Sequence, residues 1–165
     1  MEKMYCIQYD SPIGKLLLTC TDAGLTGLYM NWEAPVDPME HPILHQTRRW
    51  LDAYFRGEEP AVDLPLHLEG TDFQRRVWKI LLTIPCGQTR TYGEISREMA
   101  QLLGKEKMSA QAVGQAVGKN PISILIPCHR VVGSKGHLTG YAWGLEKKIW
   151  LLRHEGHQIA NDIVG

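Results

Sequence analysis

The chain changes character at Glu69-Gly70, and that change limits what it can fold into. Before it, apolar residues come in short alternating runs broken by turn residues; after it, they recur at helical spacing behind capping motifs. Residues 5–9, 15–21 and 25–29 read as strands. Asp10-Ser11-Pro12-Ile13-Gly14 and Thr21-Asp22-Ala23-Gly24 are the turns between them, so the opening is an antiparallel meander. Three prolines make residues 34–42 a loop, and residues 42–55 carry Leu44, Trp50, Leu51, Tyr54 and Phe55 at helical spacing. Beyond the break, Thr71-Asp72-Phe73-Gln74 is a capping box, opening a helix with Phe73, Val77, Ile80, Leu81 and Ile84 on one face. Thr91-Tyr92-Gly93-Glu94 opens a second helix with Ile95 and Met99 inward. Ser109 caps a third over residues 110–118, with Val113 and Val117 inside and small residues elsewhere. The β-branched run 122–126 predicts a buried strand ending at Pro127. Residues 131–141, with three glycines, predict a hairpin, and residues 145–155 a last amphipathic helix closed by Gly156.

A length of 165 residues suits one medium domain or two small ones, and the break predicts two, 1–69 and 70–165. Charge divides in the same place. The formal net charge is zero, yet residues 1–70 hold five Lys/Arg against eleven Asp/Glu, and residues 71–157 hold thirteen against six. A basic half of this kind faces a polyanion. Two short capped helices and a hairpin fit a helix-turn-helix with a wing, the small residues of 110–118 letting a backbone lie close to a flat partner or a neighbouring helix equally well. No apolar run reaches the length of a membrane helix, and residues 1–6 lack the apolar core of a secretory signal. Cys6, Cys20, Cys86 and Cys128 have no paired spacing and read as reduced thiols of a cytoplasmic protein. No ligand spacing joins Cys6, Cys20, His41, His45 and His67, so no metal is expected.

Chemistry concentrates in Asn120-Pro121-Ile122-Ser123-Ile124-Leu125-Ile126-Pro127-Cys128-His129-Arg130-Val131-Val132. An apolar segment delivers one cysteine to a Pro-defined turn beside an imidazole and a guanidinium. The thiolate is the nucleophile, and nearby positive charge or a basic imidazole favours it. Neighbours in an extended chain point to opposite faces, so a water would connect Cys128 to His129.

Pro127-Cys128-His129-Arg130-Val131 resembles the signature of the O6-alkylguanine-DNA alkyltransferases, also called methylated-DNA–protein-cysteine methyltransferases. The resemblance extends through residues 120–132, Gly140-Tyr141, Gly144-Leu145 and Leu151-Leu152-Arg153-His154-Glu155-Gly156. It also takes in Ile84-Pro85-Cys86-Gly87 leading to Thr91-Tyr92-Gly93-Glu94 and, more weakly, residues 10–16. It implies an α+β protein, with a small ribonuclease H-like sheet and helix domain followed by a winged helix-turn-helix domain. It implies that Cys128 takes the alkyl group from guanine O6 as a thioether, with His129 as base through water and Glu155 holding the other imidazole nitrogen. By the same resemblance Tyr92 stands at the base edge and helps turn the nucleotide out, and Asn120 bonds backbone at the junction before the active-site segment. Val131, Tyr141, Ala142 and Trp143 are the candidate residues of the substrate pocket, and the bulk of Trp143 in itself predicts a pocket narrowed against bulky alkyl groups. Ser109, Ala110, Gln111, Gly114, Tyr92 and Arg130 are the candidate DNA contacts, Arg130 being also a structural candidate.

The reacting carbon is out of reach while the base is stacked, so the nucleotide must be flipped out of the duplex. The resemblance implies docking in the minor groove. The family usually places an arginine where this chain has Gln111, which predicts weaker flipping or weaker DNA affinity. The implied partner is double-stranded DNA containing O6-alkylguanine, the implied state a monomer, and the implied reaction a single turnover without cofactor. Three rivals stand beside this reading. A non-catalytic protein that recognises alkylated DNA would not need Cys128. A cysteine hydrolase would leave the basic helix-turn-helix unexplained, and a transcription regulator would not need the Pro-Cys-His-Arg turn.

Overall fold

The computed structural model describes residues 2–165, and the chain folds as two compact units. One holds the chain up to Glu69 together with Pro121–Ser123; the other holds Gly70–Asn120 and Ile124–Gly165.

The first unit is built on an antiparallel sheet in the order β1 (Tyr5–Ser11), β2 (Gly14–Thr21), β3 (Gly24–Tyr29). The expected turn tightens to Pro12-Ile13, because Ser11 pairs directly with Gly14. The Ser11 hydroxyl accepts from Ile13 N–H at 3.1 Å and donates to Gly14 O at 2.6 Å. The central strand β2 is buried on both faces from Leu16 to Thr21. Chain 65–67 adds to the edge of β3: Leu25 N–H donates to Pro65 O at 2.9 Å and His67 N–H to Leu25 O at 2.8 Å. The approach is so close that a Cβ on Gly24 would meet His67 N at 2.8 Å, which explains the glycine. Helix α1 (Pro42–Phe55) buries Leu44, Trp50, Leu51 and Tyr54. His41 caps it. Its Nδ1 accepts from Ile43 N–H at 3.1 Å and its Nε2 lies 3.0 Å from Asp22 Oδ1, so this histidine is a helix cap.

In the second unit both capping boxes form. Thr71 Oγ1 accepts from Gln74 N–H at 3.1 Å and opens α2 (Asp72–Leu81); Thr91 Oγ1 accepts from Glu94 N–H at 3.1 Å and opens α3 (Tyr92–Leu102). Helix α4 (Ala110–Gly118), capped by Ser109, packs on both through Val113, Ala116 and Val117. Trp78, absent from the expected inner face of α2, is buried there with its indole N–H donating to Ala116 O at 2.9 Å. Strand β4 (Arg90–Thr91) runs parallel to β5 (Val131–Val132), in register Arg90 with Val131. That short ladder holds the start of α3 beside the Cys128–Arg130 turn. Helix α5 (Leu145–His154) packs against the same turn. The chain ends in a hairpin, β6 (Ile159–Ala160) and β7 (Ile163–Val164), whose two-residue turn Asn161-Asp162 has φ of 52° and 57°.

Two sequence expectations give way. Residues 122–126 are not a strand. Ile122 makes an isolated parallel bridge to Leu28, and Ile124 turns the chain with φ of 75°. Prolines at 121 and 127 remove ladder donors at both ends, so β propensity has no sheet to join. Nor is 131–141 a strand hairpin. Residues 131–132 are committed to β4, and the wing is a loop over Ser134–Gly136, closed by Gly133 N–H donating to His137 O at 2.7 Å.

Candidate active site

Cys128 is presented by two consecutive tight turns. Pro127, at φ −81° and ψ 64°, is the centre of an inverse γ-turn in which Cys128 N–H donates to Ile126 O at 2.8 Å. The 3₁₀ turn Cys128–Arg130 follows, with Arg130 N–H donating to Pro127 O at 2.9 Å. Asn120 locks this arrangement, its Nδ2 donating to the same Ile126 carbonyl at 2.7 Å. One oxygen thereby takes both the cysteine backbone and the asparagine side chain. Asn120 is accordingly a positioning residue for the turn.

His129 is fully buried. Its Nε2 lies 2.6 Å from Glu155 Oε2, and its Nδ1 has no hydrogen-bond partner among the described residues. Burial pulls the imidazole below its ordinary value, against the opposing pull of Glu155. Burial alone would raise the Glu155 carboxyl, but His129 and Arg130 outweigh it and hold it well below the usual carboxylate range. The state these directions describe is a carboxylate neutralised by Arg130 and a neutral imidazole with its proton on Nε2. Nδ1 is left as a base on the ring next to Cys128.

Arg130 does not face outward. Its Nε and Nη2 donate to Glu155 Oε1 and Oε2 at 2.7 and 3.1 Å, and its Nη1 to Ile84 O at 2.6 Å. With the residue 8% exposed and these donors engaged, its contacts are those of interior support, the structural of its two expected roles.

Tyr92 is the first residue of α3. Its hydroxyl accepts from Thr139 Oγ1 at 3.3 Å, and burial raises its phenol above the ordinary value, so it remains a donor at neutral pH. A Cβ on Gly114 would stand 3.9 Å from the Tyr92 ring, an ordinary van der Waals contact, so α4 passes beside that ring at Gly114 without requiring a glycine there. Ser109, Ala110 and Gln111 are exposed at the start of α4, while Gly114 is half-buried. Val131 is buried within β5. Tyr141 and Trp143 are half-buried and Ala142 exposed in the loop before α5, closed by Gly144 N–H donating to Tyr141 O at 3.0 Å. Sequence reasoning missed Lys148. It is buried on the inner face of α5, one of two adjacent lysines, and only the phase shared with Leu151, Leu152 and Glu155 distinguishes it. Among the described residues the grouping that offers metal-ligand atoms within 4.8 Å of one another is Glu2, His67 and Glu69, two of them exposed carboxylates.

Residues 72–157 match the DNA-binding domain of 6-O-methylguanine DNA methyltransferase, and residues 4–68 match its ribonuclease-like domain. The chain belongs to that family. It is 44% identical over 161 residues to the methylated-DNA–protein-cysteine methyltransferase of Methanosarcina acetivorans, covering 93% of this chain and 99% of the relative. The corresponding Mycobacterium leprae protein is 42% identical, with 97% of each chain covered. Among solved structures, the O6-methylguanine methyltransferase of Mycobacterium tuberculosis matches with a TM-score of 0.78 at 44% identity over 93% of each chain. The same organism's OGT in complex with DNA matches at 0.76, with 46% identity over 90% of each chain. Within this family frame, Gln111→Arg adds a charge at an exposed position in the first turn of α4. The second-order rate on lesion duplex should therefore rise about tenfold at low salt, with a steeper salt dependence. An unchanged rate and an unchanged salt slope would remove Gln111 from the DNA contact.

Proposed function

We propose that this protein repairs O6-alkylguanine in double-stranded DNA by transferring the alkyl group to Cys128, once per molecule. The observation that carries the reading is the orientation of His129. Nε2–H donates to Glu155 Oε2, 2.6 Å from the nitrogen, which in a neutral ring leaves the other, buried nitrogen as the unprotonated one beside the thiol. In this reading His129 Nδ1 draws the Cys128 proton through a water. The sulfur attacks the alkyl carbon, the S–C bond forms as the C–O6 bond breaks, and the electron pair passes into the guanine ring system. The Tyr92 phenol, kept protonated, donates toward the departing base and receives the charge that develops there. Guanine leaves with a proton restored from solvent, and the thioether carries no route back to thiol. The step balances without a cofactor.

The division of labour follows the family match. Residues 70–165 hold the duplex and the acceptor, and residues 1–69 form the ribonuclease-like domain that precedes them. Ser109, Ala110, Gln111 and Gly114 on α4 are the groove-facing residues, and the loop of Tyr141, Ala142 and Trp143 borders the alkyl group. A monomer suffices, since every proposed group comes from one chain. No helix among the described residues is long and apolar enough to cross a membrane. The reading places the protein in the cytoplasm, where a reducing environment keeps the acceptor thiol available.

Intact mass after mixing with excess O6-methylguanine duplex tests the reading. The expected result is one added methylene on every molecule, mapped to Cys128 and absent in Cys128→Ala. An unchanged mass with lesion-selective binding would replace repair by recognition alone.

A further inference from the structure

Thr139 lies just past the wing loop, exposed, yet its hydroxyl donates to the Tyr92 hydroxyl at 3.3 Å. The chain on either side sets its position. The wing closes through Gly133 N–H donating to His137 O at 2.7 Å, and a Cβ on Gly133 would stand 3.3 Å from the Thr139 methyl. That methyl rests against the glycine, which restricts the rotamer of a β-branched side chain. The terminal hairpin braces the same loop. Leu138 N–H donates to Asp162 O at 2.8 Å, and His137 bridges antiparallel to Ile163. The hairpin passes so close to Gly136 that a Cβ there would meet Val164 O at 2.7 Å. All three contacts engage the residues just before Thr139. They come from chain beyond residue 157, where the match to the DNA-binding domain ends.

We propose that Thr139 is a positioning residue for alkyl transfer, its hydroxyl turning the Tyr92 proton toward the departing base. This deepens the repair reading and rests on it for the use made of that proton, though not for the contact itself. A phenol has one proton and accepts through its oxygen. With the Thr139 hydroxyl donating, the Tyr92 proton is not directed at the threonine and takes the other side of the phenol oxygen. Donation also polarises that oxygen, and a hydroxyl that accepts one hydrogen bond donates a stronger one. The electrostatics run in the same direction: burial raises the phenol, and the Thr139 bond pulls it back down. At 3.3 Å the bond is long, as such bonds often are before substrate arrives. The threonine acts through the phenol and transfers no proton of its own.

Two measurements on the full chain test this. Thr139 is exposed, so Thr139→Val and Thr139→Ser should fold as the parent does. In protein isotope-labelled at the tyrosine ζ carbon, the Tyr92 resonance, assigned by its loss in Tyr92→Phe, reports the bond without DNA. Thr139→Val should shift it and Thr139→Ser should leave it in place, because valine keeps the shape and serine keeps the donor. An unmoved resonance in Thr139→Val overturns the proposal and leaves the repair reading standing. In single-turnover transfer from an O6-methylguanine duplex, Thr139→Val should lower the limiting rate about fivefold, the size expected of one modest hydrogen bond, with the half-saturating DNA concentration unchanged. Thr139→Ser should restore the rate. A limiting rate equal to the parent's, or a serine variant as slow as the valine one, overturns the proposal. A loss confined to the half-saturating concentration overturns it as well, by making Thr139 a DNA contact. A parent that transfers no methyl group while the resonance still shifts overturns the repair reading, and with it the use proposed for the bond.

Discussion

Glu155→Ala should lower the melting temperature by about 10 °C, corresponding to roughly 3–5 kcal/mol for a buried ion pair that loses one partner. The carboxylate is the shared acceptor of His129 Nε2 at 2.6 Å and Arg130 Nε and Nη2 at 2.7 and 3.1 Å. Its removal leaves a guanidinium in the interior with the Ile84 carbonyl as its remaining partner. Set against a typical total of about 5–15 kcal/mol, that loss brings the protein near the edge of folding. The pH dependence carries the same signature. Glu155 has a folded value held well below its unfolded one of about 4.3, so its stabilisation is complete above that pH and declines as pH falls through the folded value. His129, lowered by burial, adds a second acid-side loss: below about 6.5 the unfolded chain takes up a proton that the folded one refuses. The parent should therefore lose stability in two stages on acidification, whereas Glu155→Gln should lack the lower stage. Thermal melts between pH 3 and 8 read both. A Glu155→Gln curve parallel to the parent's over the whole range would show that the carboxylate is not the buried anion described here.

The parts of the site that could be read from sequence are those held by local chemistry. Thr71 with Gln74, and Thr91 with Glu94, announce their helices because a capping box is complete within four residues. The Cys128-His129-Arg130 motif likewise sits in one stretch. What was illegible depends on partners far along the chain. Residues 122–126 look like a strand from their side chains, but their backbone is committed elsewhere. Pro121 O takes Leu28 N–H at 2.9 Å, and Ile126 O takes Asn120 Nδ2. The direction of Arg130 is set by Glu155 and Ile84, both more than twenty residues away. Lys148 illustrates the weakest signal. Beside Lys147 its charge suggests solvent, and helical phase alone, with Leu151, Leu152 and Glu155, argues for the interior. The closing hairpin had a usable sign in Asn161-Asp162, the residue types that accept left-handed backbone in a two-residue turn.

His129→Gln separates chemistry from folding. Glutamine approximates the volume of the ring and can keep a donor toward Glu155, which retains Arg130 in any case, so the melting temperature should move far less than in Glu155→Ala. The amide has no basic nitrogen to replace Nδ1. General-base assistance contributes roughly 10²–10⁴-fold, and the methyl-transfer rate at pH 7 should fall by that order. The loss should shrink as pH rises, because hydroxide then removes the Cys128 proton that the imidazole no longer takes. Single-turnover transfer from an O6-methylguanine duplex, followed from pH 6 to 9, measures the size of the drop and its pH dependence together. A drop of a few fold, constant across pH, would mean that the thiolate is already formed without the imidazole.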